Sequence, residues 1–148
     1  MGVTLEWDNF DEFLDELQHL PETLNEEASA SVIEATNKSA DELRAAYPAG
    51  TRTRKSGETI DHLRNGVKVE IDSSQFGTLG IVRSTAHEAH LWEFGTQVRK
   101  TQRGWNRGSA PAHHGQGLVS IAATNRRTMY EQQAQILEDH GFELSGRP

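Results

Sequence analysis

The sequence predicts an α+β fold, a small antiparallel sheet flanked by a long N-terminal helical region and a C-terminal amphipathic helix. Three observations carry this. Apolar residues recur at helical spacing from Phe10 to Tyr47, and again from Leu118 to Leu137. Between them, Val67, Val69 and Ile71 alternate with Lys68 and Glu70, as in a half-buried strand. Leu79, Ile81 and Arg83 then alternate with Gly80 and Val82, so that two strands fall either side of a Ser73–Gly77 turn and form an antiparallel hairpin. The 148 residues make a single domain, 1–148, since a chain of this length buries roughly 68–70% of its unfolded surface.

The elements follow in order. Asp8 is placed to cap a helix, and Asp11 and Glu12 suit the positive end of its dipole. Phe10, Phe13, Leu14, Leu17 and Leu20 give that helix an apolar stripe over about 9–20, read as an extra N-terminal helix within 1–20. Pro21 ends or kinks it, or opens a second helix, because a proline in the first turn loses no bond. Leu24, Ala28, Val32, Ala35, Leu43 and Tyr47 continue the stripe, so one long helix or two joined helices reach about residue 46. The small residues Ala28-Ser29-Ala30-Ser31 allow a second element to pack closely. Pro48 and Gly50 end the region, and Thr51–Asp61 is a polar, basic loop. Asn65-Gly66 is a turn signal ahead of the first strand. The last helix spans about 117–140, with Gly141 as its C-terminal cap and a frayed tail from Ser145.

Composition narrows the function. With 34% apolar residues and a mean hydropathy of −0.69, the core should be thin and open to completion by partners. No apolar run approaches the ~20 residues that span a bilayer, and the Met1–Glu6 start matches neither a secretory signal nor a myristoylation site. A soluble chain with no membrane partner is expected. The absence of cysteine removes disulfides, thiolate nucleophiles and cysteine metal sites. The net charge of −7 is unevenly spread. Up to Gly50 twelve acids face only Lys38 and Arg44, whereas from Thr51 to Tyr130 twelve bases face six acids. An acidic end and a basic middle can meet within a chain or between neighbouring copies.

The most informative segment is Ala89–Thr96. Trp92 and Phe94 bracket Glu93, whose burial is costly unless its carboxylate finds a donor. Gly95 can take a positive φ and turn the chain. The aromatic pair is expected in the core, with a subunit interface as the competing reading. A basic, glycine-punctuated stretch follows, read as a long loop over 97–110 that carries Arg99, Lys100, Arg103, Trp105 and Arg107. These residues can grip phosphates and stack on a base, or pair with acidic protein surface on a neighbour, and protein contact is the favoured reading.

Catalytic patterns are weak. His87 and His90 stand three apart, one residue short of the zinc-protease spacing, and the nearby Gly-Thr turn argues against a helix there. No Gly-x-Ser-x-Gly elbow and no phosphate-cradling loop occurs. No cofactor and no metal site is expected. A metal-dependent hydrolase and a small DNA-binding module using the basic loop are the alternatives kept.

Order adds what composition does not. Glu93, Phe94, Gly95 and Thr96 follow a hydrophobic residue, then come Pro111 and a final helix. From about Leu24 to Leu137 the chain resembles the tail-component (neck, or tail-completion) family of long-tailed phages and archaeal tailed viruses, whose members carry a hydrophobic-Glu-Phe-Gly-Thr motif, a proline-containing segment and a last helix. The long basic link Gln97–Ala110, the His113-His114-Gly115 start of the last helix and the Phe10–Leu20 stretch depart from that pattern. The resemblance implies a non-enzymatic virion structural protein in the neck, assembled in the host cytoplasm. It implies a homo-oligomeric ring of sixfold symmetry that completes the tail or joins it to the DNA-filled head, with neighbouring connector and tail proteins as partners; the bases of the 97–110 loop then face a neighbour or the packaged DNA.

Overall fold

The computed structural model describes residues 10–50, 52–57, 59–74, 77–106 and 108–144, with the backbone alone for 10–18, 52 and 59. Asp8, Arg107 and the tail from Ser145 lie outside the described residues. The order is α1 (Phe10–Ala46), β1 (Arg52–Thr53), β2 (Thr59–Ile60), α2 (His62–Asn65), β3 (Val67–Ser74), β4 (Gly77–Ser84), α3 (Ala89–Phe94), a 3-10 turn (His114–Gln116) and α4 (Leu118–Asp139). The fold is α+β, as the sequence predicts. No helix among the described residues is long and apolar enough to cross a membrane.

α1 is a single helix of 37 residues with Pro21 inside it. The extra N-terminal helix is therefore the first part of α1. A proline in a helix interior removes one main-chain bond, and the turns on both sides continue here. Toward its C-terminal end α1 buries Ala40 and Leu43, and with Tyr47 just beyond it they meet Leu63, Val67, Ala86 and Ala89 in the core. Val69, Val82, Trp92, Leu118 and Ile121 pack around that cluster. The Arg64 Nε–H donates to the Tyr47 carbonyl at 2.9 Å, setting a cation at the negative end of α1.

α4 lies antiparallel on α1. Asn125, itself buried, donates its amide to Glu42 at 2.8 Å, Gln133 reaches Ser31 at 3.3 Å, and His140 meets Glu27 at 2.9 Å. The small α1 face allows the approach. Ser31, Thr36 and Ser39 are buried, and each hydroxyl donates to a carbonyl one turn back, at 2.6–2.7 Å, so none is left without a partner. Gly141 ends α4 with φ +85. Its N–H donates to the Glu138 carbonyl and that of Phe142 to the Leu137 carbonyl, which completes a Schellman cap.

β3 and β4 form the antiparallel hairpin, in register from Val67 opposite Ser84 to Ser74 opposite Gly77. The pairing decides which face is inside. Val67, Val69 and Ile71 share a face with Ser84, Val82 and Gly80, so Leu79 and Ile81 fall on the outer face and stay exposed, Leu79 at 57%. Gly80 lets α1 approach, because a Cβ there would overlap the Thr36 hydroxyl. Gly80→Ala should cost about 1–3 kcal/mol, and Thr36→Ala should return part of it, both read from urea denaturation midpoints. The expected basic loop after Gly50 is not wholly irregular. Arg52 pairs with Ile60 and Thr53 with Thr59, and the Asp61 carboxylate accepts from the Gly50 N–H at 2.5 Å.

Candidate functional site

The corner of the aromatic segment is built from α3 outward. The nearby Gly-Thr turn argues against a helix here, yet residues 89–94 form one, with His90 in its first turn. Successive helical residues point about 100° apart, so Trp92, Glu93 and Phe94 cannot all face inward. Trp92 takes the edge of the core. Its ring meets Tyr47 edge-on at 5.0 Å and stacks on His113 at 4.6 Å, with the planes 3° apart. The His113 Nδ1 lies 3.0 Å from the Trp92 carbonyl oxygen, which only accepts, so the proton sits on Nδ1.

Glu93 is 8% exposed and its carboxylate covers the start of α4. The Val119 N–H donates to Oε1 at 3.4 Å. Gly117, the residue capping α4, has no side chain to satisfy the first turn, and the Glu93 carboxylate fills the space a Cβ would take. Glu93 thus does from α3 what a capping side chain does locally, and its charge meets the positive end of the α4 dipole. Its own carbonyl accepts from the His113 N–H at 3.0 Å, fixing the approach to α4.

With Glu93 turned to α4, Phe94 faces solvent at 59% exposure, its ring beside His114 at 5.6 Å. The expectation of a core aromatic pair therefore holds for Trp92 only in part, since it is half-buried, and fails for Phe94. Gly95 has φ +69 and ψ −175, and a Cβ there would stand 2.7 Å from the Ala110 carbonyl oxygen, 2.8 Å from the Ala112 nitrogen and 3.0 Å from the Pro111 carbonyl carbon. The returning chain at Pro111 thus crosses directly over Gly95. Thr96 bonds to Ala110 on both sides. Its N–H donates to the Ala110 carbonyl at 2.9 Å, and the Ala110 N–H reaches the Thr96 hydroxyl at 3.0 Å.

The stretch expected as a loop is a paired arm. Beyond Thr96 and Ala110, the Arg99 N–H donates to the Gly108 carbonyl at 3.1 Å, Lys100 bridges Asn106, and the Thr101 N–H donates to the Trp105 carbonyl at 2.8 Å. Arg99, Lys100, Arg103 and Trp105 line one hollow of about 510 Å³, and Trp105 is 72% exposed. Among the described residues no group of three or more His, Asp or Glu side chains could hold a metal ion. His62 sits by Glu88, at 3.0 Å from its carboxylate.

Sequence reading placed Tyr47 on the α1 stripe and His113 and Gly117 at the start of the last helix, but gave none of them a part in the site. Gly117 had a signal, a helix start lacking the usual Ser, Thr or Asp, which asks for a cap from elsewhere. His113 had none. Burial raises the Tyr47 hydroxyl above its ordinary value of 10.0. The Ser84 hydroxyl works against the rise and the nearby Glu93 charge adds to it. The folded state thus holds this proton more tightly than the unfolded chain. Stability should be constant in this respect below pH 10 and fall as pH rises beyond it, and Tyr47→Phe should flatten that limb of a melting-temperature profile.

Residues 11–95 match the family described as "Bacteriophage HK97-gp10, putative tail-component". The match runs from the first turn of α1 to Gly95, and so takes in the hairpin and the Trp92–Gly95 part of the corner. Comparisons with curated proteins and with solved structures gave no match. The matched span is more than half of the chain, and the Glu93-Phe94-Gly95 corner closes it: this protein belongs to the HK97-gp10-like family of bacteriophage tail components.

Proposed function

We propose that this chain is a virion structural protein at the head–tail junction, where copies form a ring that completes the tail or joins it to the filled head. Membership of the tail-component family carries this reading. Two features of the molecule support it. The core is small, and several apolar side chains stay exposed: Phe94 on the corner, Leu79 and Ile81 on the outer sheet face, Val119 at the start of α4. The basic arm projects from the Glu93–Thr96 corner, suited to a neighbouring protein of the neck. The role is one of assembly rather than catalysis, with connector and tail proteins as partners.

Removing the chain from the virus that encodes it tests the place. Electron microscopy should show DNA-filled heads and separate tails that do not join. Normal virions, or a block before head filling, would refute the junction role. Negative-stain images and light-scattering mass of the purified protein test the ring.

A further inference from the structure

We propose that the arm between Thr96 and Ala110 of one copy grips the acidic N-terminal half of α1 of a second copy, so that chains associate head to tail. The inference rests on the self-assembly in the reading above, but not on the location in the virion.

Charge is the first reason. No Lys or Arg precedes Lys38, while ten acids lie between Glu6 and Glu34. The segment Gln97–Ala110 is the converse, with Arg99, Lys100, Arg103 and Arg107 and no acid. One surface of each kind, on one chain, makes a complementary pair.

Position is the second. α4 ends beside Glu27, where His140 meets it, and the hairpin comes alongside α1 where Thr78 bonds to Ser29 at 2.8 Å. The turns of α1 from Phe10 to Glu26 run on past the end of α4, over ~25 Å. The arm leaves from the other end of the molecule, where Trp92 packs on Tyr47.

Reach is the third, and it decides between one chain and two. From Tyr47 back to the Glu16–Glu22 stretch is ~40 Å along α1. From Thr96 to Arg103 the arm is at most ~23 Å long. Extended along α1, the arm's main chain ends short of Glu16–Glu22 of its own chain, which points to contact between copies. Joining one end of a molecule to the other end of the next is a heterologous contact, which closes into a ring or runs on as a filament.

The apolar parts also correspond. Trp105 and Val98 are both exposed on the arm. On α1 the sequence spacing sets Phe10, Phe13, Leu14, Leu17, Leu20 and Leu24 in one stripe, with Asp11 and Glu22 toward one edge and Glu16 toward the other. An aromatic anchor carries a large share of the affinity of a compact interface, and the opposite charges steer the two surfaces together.

Two charge-reversed chains test this. One carries Arg99→Glu, Lys100→Glu and Arg103→Glu; the other carries Asp15→Lys, Glu16→Lys and Glu22→Lys. Sedimentation and light scattering are read from low to high salt, with circular dichroism melts as the folding check. Wild-type chains should associate at low salt and dissociate as salt rises. Each variant alone should associate at least ~10-fold more weakly, and an equal mixture should regain wild-type association, since each reversed surface then meets its complement. Trp105→Ala, which changes no charge, should weaken association as well. If both variants associate like wild type, the contact lies elsewhere and only the ring reading survives. A wild-type chain that stays monomeric at every salt and concentration overturns this inference and the self-assembly beneath it, while the virus deletion still tests the junction role. If the arm variant loses only salt-dependent binding to duplex DNA, with self-association intact, the arm is a DNA contact and the proposal fails.

Discussion

Gly95→Ala is expected to destabilise the protein by about 2–4 kcal/mol and to lower its melting temperature by roughly 6–12 °C. Two costs add. The backbone at Gly95, with φ +69 and ψ −175, lies in a region essentially reserved for glycine. The new methyl would also press on main-chain atoms of Ala110, Pro111 and Ala112 at 2.7–3.0 Å, and main chain cannot rotate away as a side-chain tip can. Gly104→Ala is the control. Gly104 also has a positive φ, +78, but nothing stands within 4 Å of its Cβ position, and it lies at the tip of the arm. Its replacement should leave the global melt almost unchanged. Equal effects at both glycines would show that the crossing of Pro111 over Gly95 does not hold the corner together.

Glu93 and Gly117 should behave as one unit, with a change of sign. Glu93→Ala removes the carboxylate over the first turn of α4 and should cost about 1–3 kcal/mol. Gly117→Ser in the native chain should also destabilise, because its Cβ would overlap the Glu93 carboxylate. In the Glu93→Ala background the same change should stabilise by about 0.3–1 kcal/mol, since the space is then open, serine caps its own helix and the unfolded chain loses the freedom of a glycine. The backbone permits this: Gly117 has φ −82 and ψ 168, extended geometry open to any residue. Urea denaturation of the four chains gives the cycle directly. A Gly117→Ser effect of the same sign in both backgrounds would mean that Glu93 does not fill the cap.

These two sites also show how far the sequence could be read. Glu93 between two aromatic residues announced a buried carboxylate in need of a donor, and the donor exists. Gly95 before Thr96 announced a turn, and the turn exists. Neither residue named its partner, because Val119 and Pro111 lie 26 and 16 positions further on, and nothing in the intervening chain sets that distance. The arm was legible as basic and glycine-rich but not as paired. Its cross-links at Arg99–Gly108 and Thr101–Trp105 are main-chain bonds, which leave little trace in side-chain pattern.

The sequence by itself determined the two long helices, the hairpin, the separation of acidic from basic segments and the tail-component resemblance. Each depends on local periodicity, composition or a contiguous motif, and those survive in one dimension. Only the tertiary structure decided that α1 runs through Pro21, that Leu79, Ile81 and Phe94 face outward, and that the arm and the acidic half of α1 stand at opposite ends of the molecule. Those outcomes turn on which surfaces compete for the same small core. β3 offers Val67 and Val69, Gly80 admits α1, and the start of α4 claims Glu93. The winner of each competition is set by packing in three dimensions, which periodicity along the chain does not encode.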